Sequence, residues 1–268
     1  MHPYPAGPVT PRCDRVVVVP GGTGVVGGAV VRGLCAAGAR VIVPTRTAVS
    51  PGHASRDDVG GVSAERGTDA DGGAGPGGPT GALRTVTVRT WEDPVELLAV
   101  AAEPGWAPDA VVAAIGGWWI GTELMDLSPL VWRELVESHL TGHFLVARAL
   151  APLIAGTPDA VYVALNGAAA REPMALSGPV SVAGAGQSML LDVLRRESIG
   201  RTVRFHELLV LAAVAGDDRN LTPVATVAPG AVAAAALGVL CDPAAPPTVQ
   251  VGATGDLDDR PDTGAGPS

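Results

Sequence analysis

Three glycines at intervals of three, Gly21, Gly24 and Gly27, stand in the segment GGTGVVG directly after the run Val16 to Val19. Such a loop can cradle a phosphate. The first glycine permits a tight turn, the second lets backbone amides close on a pyrophosphate, and the third lets the next helix pack against the strand. Free amides and the dipole at that helix's N-terminus then hold the anion. Glycine also serves ordinary turns, and 36 of them occur in this chain. The dinucleotide reading therefore draws its weight from the strand before the loop and the helical pattern after it.

Other residues could carry the chemistry beside such a loop. Arg46 lies just past a second apolar run, where a site for NAD would hold an acid ~20 residues beyond the glycines. An arginine there accepts a 2′-phosphate, which makes NADP the expected cofactor over NAD; its alternative is a solvated surface residue. His139 and His143 have a spacing that can chelate a metal, but Leu140 stands where a zinc-protease motif needs glutamate and no third ligand accompanies them, so no metal is expected. His139 by itself could act as a general acid near neutral pH, or pack as a hydrogen-bonded helix residue. Asn166 ends an apolar strand, where ligands of doubly wound sheets gather; its amide could donate to a carbonyl, or only shape the turn before Gly167. Arg171 and Glu172 read as solvated loop charges, and Ser181 lacks a base to activate it. Trp118 and Trp119 could wall a substrate pocket or pack the sheet edge.

The elements that must position these residues alternate. Val16 to Val19 reads as a strand buried on both faces, followed by a helix through Val30, Val31, Leu34 and Cys35 that Gly38 stops. Strands follow at Ala39 to Val43, Leu83 to Val88, Asp109 to Ile115, Ala160 to Leu165, Val203 to Leu211 and Thr248 to Val251. Asp93, Pro94 and Glu96 supply an N-cap, a helix-starting proline and an N3 acid. Ser128 and Pro129 cap a long amphipathic helix, LVWRELVESHLTGHFLVARALAPLI, and further helices span Val182 to Arg196 and Gly230 to Leu240. The fold class is α/β: a Rossmann-like, doubly wound, seven-stranded parallel sheet with helices on both faces.

With 268 residues, 47% of them hydrophobic, the chain fits a single domain. That domain spans 15–253, with a flexible N-terminal tail at 1–14, a glycine-rich insert at 50–82 in place of a full crossover helix, and a C-terminal tail at 254–268. The stretch from Gly67 to Gly81 is expected to be disordered. A net charge of −9 and a pI near 4.9 argue against nucleic acid and anionic membrane as partners and favour a small molecule. Cys13, Cys35 and Cys241 are odd in number and lack CxxC spacing, which fits a reduced cytoplasm with each cysteine as a small buried hydrophobe. No signal peptide or membrane span is expected.

From Val16 to about Gly252 the order of elements resembles the short-chain dehydrogenase/reductase family. The resemblance rests on GGTGVVG, on DAVVAAIGG where the family often reads NNAG, and on ESHLTGHFLVARAL where it often reads VNLTGxFLVTRA. ALNGAAA stands at the family's catalytic serine strand and SVAGAGQSMLLDVLRRE on its catalytic helix. The resemblance implies an NADP(H)-binding oxidoreductase for a small carbonyl or alcohol, assembled as a homo-dimer or homo-tetramer. It places the cofactor along Gly21, Thr23, Gly24, Val26, Gly27, Arg46, Thr90, Ala114 and Gly116, with Thr90 where the family often uses an aspartate near the adenine. The catalytic set departs from the family. Its YxxxK pair falls on Val180 and Gly184, its serine on Asn166 or Gly167, and its helix asparagine on His139, so His139 and Asn166 are the candidate catalytic residues. After strand six Val210 and Leu211 replace a proline-glycine turn, and the loop Ala212 to Thr222 is short for a substrate lid. A non-redox lyase or isomerase, or a silent nucleotide-binding sensor, are the rival readings.

Overall fold

The computed structural model describes residues 12–46, 81–216 and 226–252. Apolar, β-branched runs form strands β1 (Val16–Val18), β2 (Arg40–Thr45), β3 (Leu83–Thr87), β4 (Ala110–Ala113), β5 (Ala160–Gly167) and β6 (Val203–Val210). Two-residue strands β7 (Ala213–Val214) and β8 (Thr226–Val227) come next, and β9 (Thr248–Val251) is last. The helices are α1 (Val25–Ala36), α2 (Val95–Ala101), α3 (Pro129–Val136), α4 (Gly142–Ile154), α5 (Gly178–Arg196) and α6 (Pro229–Cys241). Seven strands pair in the order β3-β2-β1-β4-β5-β6-β9, all parallel, as one Rossmann-like domain. The order reverses between β1 and β4, which opens a crevice beyond their carboxyl ends.

Alternation along each strand sends side chains to opposite faces. Val17 and Val19 join Val30 and Leu34 of α1 and Val232, Leu237 and Leu240 of α6 in one core layer. Val16 and Val18 join Leu97 of α2, Val146, Leu150 and Ile154 of α4 and Leu191 of α5 in the other. Helices therefore cover both faces, as a parallel sheet requires.

Several boundaries differ from those the sequence suggests. Cys13 is 2% exposed and its amide donates to the Ala37 carbonyl at 2.8 Å, so the chain is anchored from there and the N-terminal tail does not reach residue 14. Gly81 likewise belongs to the fold, its amide bonding to the Cys35 carbonyl at 2.9 Å. The remainder of both tails and of the insert lies outside the described residues, and so does the crossover between β2 and β3. Pro94, not Asp93, is the N-cap of α2, and no side chain bonds there. Ser128 does cap α3, accepting from the Leu130 amide at 3.2 Å with Pro129 in the first turn. Helix α5 begins at Gly178 instead of Val182, because Pro179 presets the first turn and the buried Ser177 hydroxyl ties it to the Trp119 carbonyl at 2.8 Å. The long helix expected from residue 130 to 154 is interrupted by a single π turn at Glu137–Thr141, which separates α3 from α4. Strands β7 and β8 pair in parallel where a plain loop was expected. Among the described residues no helix is long and apolar enough to cross a membrane.

Candidate active site

A cleft of about 540 Å³ opens at the carboxyl ends of β1, β4, β5 and β6, within the size range of small-molecule sites. The glycine loop forms one wall. Gly21 adopts φ +79°, and a Cβ there would stand 2.0 Å from the Ala114 carbonyl oxygen, so the turn presses directly on the end of β4. A Cβ on Gly27 would stand 2.1 Å from the Gly21 carbonyl, which is how α1 starts so close to the loop. Gly24, the N-cap of α1, is different: a Cβ there would meet nothing nearer than 3.5 Å, leaving its backbone open to the cleft. Gly24, Val26, Gly27, Ala114 and Gly116 all line the cleft, as do His139 and Asn166. Thr23 and Arg46 are exposed outside that lining, Arg46 immediately after β2. Thr90 is also exposed and donates its hydroxyl to the Glu92 carboxylate, a bond that holds the Glu92 carboxyl below its ordinary value.

The polar groups of the cleft are mostly engaged. His139 sits on the π turn, a feature frequent at functional sites. Its Nε2 accepts from the Gly117 amide at 3.1 Å, and its Nδ1 lies 2.9 Å from the Leu135 carbonyl and 2.9 Å from the Ser138 hydroxyl. Gly116 makes room for this ring, since a Cβ there would meet its Cδ2 at 3.0 Å. Asn166 donates through Nδ2 to the Gly184 carbonyl at 2.9 Å and the Glu207 carboxylate at 2.8 Å, and accepts the Gly167 amide on Oδ1 at 2.9 Å. Both amide hydrogens are thus committed away from the cleft. Gln187 spends its amide on the Leu165 carbonyl at 2.8 Å. His143 is 3% exposed with Nδ1 unpartnered, and burial, with the nearby His139 adding, pushes its pKa down to about 4.

Behind Asn166 lies a buried carboxylate that the sequence reading missed. Glu207 on β6 has a side chain 2% exposed and takes Arg171 Nη2 at 2.6 Å and the Ser188 hydroxyl at 2.6 Å. Thr248 completes it at 3.3 Å. Arg171 therefore is no solvated loop charge, although its guanidinium also reaches water. The signal was an acid inside the otherwise apolar strand VRFHELLV, where a lone charge demands a partner. Ser181 is structural, accepting from the Met174 amide at 3.2 Å. Trp118 walls the cleft, whereas the ring of Trp119 packs over Gly121.

The sequence matches no known family model and no curated protein. Solved structures do match. A short-chain type dehydrogenase/reductase from Mycobacterium ulcerans aligns with a TM-score of 0.68 at 20% identity, covering 90% of this chain and 88% of that one. A short-chain dehydrogenase from Burkholderia cenocepacia, in complex with NADP, aligns at 0.67 and 18% identity over 89% and 88%. Serine dehydrogenase from Escherichia coli aligns at 0.67 and 17% identity over 88% and 96%. The chain has the short-chain dehydrogenase/reductase fold.

On this fold Val180 and Gly184, one turn apart on α5, both face the cleft. Among the described residues its lining holds no tyrosine, lysine, arginine, aspartate or glutamate. All 18 basic residues of the chain are arginines, so no lysine exists to be supplied from elsewhere. Tyr162 lies in the core layer on the α4 side of the sheet, its ring centroid 5.5 Å from that of Phe205, and complete burial raises its pKa. Tyr4 lies outside the described residues.

Proposed function

We propose that the chain binds NADP(H) in this cleft and is a short-chain dehydrogenase/reductase-type oxidoreductase acting on a small carbonyl or alcohol, without the family's tyrosine–lysine pair. The observation that carries the binding step is the open backbone at Gly24, beside two glycines whose missing Cβ atoms bring loop, strand and helix together at the point where strand order reverses. Gly24, Val26 and Gly27 would hold the pyrophosphate, Arg46 the 2′-phosphate, Thr90 the adenine end, and Ala114 and Gly116 the nicotinamide side. Structural neighbours solved with NADP support a nicotinamide dinucleotide; Arg46 supports the phosphorylated form. Bound there, the cofactor supplies a hydride.

Reduction of a carbonyl builds charge on oxygen, which a placed acid and a cation normally stabilise. Here any side chain at position 184 would be crowded, because a Cβ there already approaches Asn166 Oδ1 and Ala170 Cβ to 3.0 Å. His139 is the group on the cleft wall that can carry a proton through its imidazole, with Gly117 presenting both an amide and a carbonyl to Nε2. Asn166 would orient the carbonyl only after giving up one of its present bonds. Those engagements favour a second reading, nucleotide binding without turnover. Exposed Phe144 on α4 and Val182, Met189 and Val193 on α5 support the homo-oligomer that the family resemblance implies. A cytoplasmic location is proposed on the cysteine usage.

NADPH consumption over a panel of ketones tests the catalytic reading. Turnover abolished by His139→Ala and kept by Tyr162→Phe supports it. Turnover lost only in Tyr162→Phe would overturn it, and NADPH binding with no turnover selects the second reading.

A further inference from the structure

The side chains of the cleft offer a ligand hydrocarbon and little else. Among the described residues its lining holds no charged side chain and no hydroxyl, and besides the Trp118 indole its polar side chains are His139, His143, Asn166 and Gln187. Two of these, His143 and Gln187, are 3% and 5% exposed. Asn166 spends Nδ2 on the Gly184 carbonyl, the Ser188 hydroxyl and the Glu207 carboxylate, and Oδ1 on the Gly167 amide. That leaves His139, the residue to which the proposed reaction assigns the reacting oxygen. The rest of the wall is carbon. Trp118, Met174, Val180, Leu211 and Val214 line it half-buried, and Ile120, on the same lining but 49% exposed, carries the apolar surface out to the mouth.

Such a wall selects by what a molecule loses on leaving water. A carboxylate or phosphate beside it would shed hydration without gaining a cation, and each hydroxyl of a polyol would shed hydration without a side-chain partner. A hydrocarbon chain gains from the same transfer, in proportion to the surface covered. We infer that the substrate is an uncharged ketone, aldehyde or matching alcohol whose single oxygen meets His139 and whose remainder is hydrocarbon long enough to reach Ile120. Sugars, hydroxy acids and phosphorylated compounds are outside this class. The inference deepens the function proposed above and rests on the same cleft being the ligand site.

The test uses three probes: 2-hexanone; 2-octanone, two methylenes longer; and 7-oxooctanoate, which has eight carbons and a carboxylate at the end far from the ketone. Calorimetric titrations are run on the full chain with and without NADPH, so that binding is read whether or not turnover occurs. In the unaltered protein each added methylene covered by the wall should tighten binding about fourfold, which makes 2-octanone about sixteenfold tighter than 2-hexanone. 7-Oxooctanoate should bind at least about tenfold more weakly than 2-octanone. Met174→Arg puts a cation on the wall and should bring these two within about threefold of each other. Ile120→Asp should weaken 2-octanone more than 2-hexanone without moving the melting temperature, because the side chain it replaces is already half in water.

Equal binding of the two ketones, binding of 7-oxooctanoate as tight as that of 2-octanone, or no binding of any probe would each overturn the inference. A gap between 2-octanone and 7-oxooctanoate that Met174→Arg leaves untouched would overturn it as well. So would Ile120→Asp changing the oligomeric state while the gain with chain length stays whole, because the mouth would then belong to a second copy of the chain. Failure of NADPH to bind the unaltered protein refutes the cofactor reading alone, because the titrations without NADPH still decide this one.

Discussion

Removing the guanidinium of Arg171 should destabilise the protein more than removing the carboxylate it holds. Glu207 is buried at 2% side-chain exposure, whereas the Arg171 side chain is 45% exposed. In Arg171→Ala the carboxylate stays in the core with only the neutral donors of Ser188, Asn166 and Thr248, at 2.6, 2.8 and 3.3 Å. An uncompensated buried charge of this kind costs about 3 kcal/mol. In Glu207→Leu the guanidinium turns out to water, the Ser188 hydroxyl swings its hydrogen to the Gly184 carbonyl 3.2 Å away, and the Asn166 amide keeps the Ser188 oxygen at 3.2 Å in place of the carboxylate. Exchanging those bonds for weaker ones costs about 1 kcal/mol. Arg171→Met combined with Glu207→Leu removes charge and partner together and should recover most of the loss, because an apolar pair of similar volume replaces the ion pair at little cost. Urea unfolding of the four proteins measures all of this. Arg171→Ala within about 0.5 kcal/mol of the unaltered protein, the range of an ordinary surface substitution, would refute the reasoning. So would a double variant less stable than either single one.

Acid should weaken the fold through His143. Above pH 6.5 both folded and unfolded chains are neutral there; between 6.5 and about 4 the unfolded chain takes up a proton that the folded one refuses. Stability should therefore fall by about 3 kcal/mol across that window. His206, lowered in the same direction by burial, adds to the slope, and melting curves against pH should show His143→Leu removing the larger share. Gly24→Ala should leave the melting temperature unchanged yet weaken NADPH binding, since its Cβ meets only Gly21 O at 3.5 Å in the folded chain. Gly27→Ala should lose both stability and binding, its Cβ standing 2.1 Å from that same oxygen. Arg46→Ala should bring NADPH and NADH affinities together, and equal affinities in the unaltered protein would remove the role given to Arg46.

How much of this could be read from the chain differs by element. The β1–loop–α1 unit was legible because a doubly buried strand, a glycine turn and a helical period each leave a mark within about 20 residues. Ser128 and Pro129 were legible for the same local reason. The π turn under His139 was not, because one extra residue in a turn barely disturbs an apolar repeat of three and four. Glu207 was visible as an oddity in its strand, but its partners come from α5, β5, β9 and the loop after β5, contacts that no local pattern encodes. Cys13 likewise reads as tail until its packing under α6 and against the α1 end is seen. Among the candidate site residues, Gly24, Val26, Gly27, Ala114 and Gly116 line the cleft, whereas Gly21, Thr23, Arg46 and Thr90 do not. The sequence could not tell that Asn166 and His139 arrive there with their polar atoms already engaged.

The central claim is that the glycine loop at the reversal of strand order holds NADP(H), and titration of NADPH into the full chain, followed by nicotinamide fluorescence, tests it most directly. The account predicts saturable binding that is tighter than for NADH and weakened by Gly24→Ala in a protein whose melting temperature has not moved. Binding of neither cofactor, or NADPH binding untouched by Gly24→Ala and by Gly27→Val alike, would contradict it.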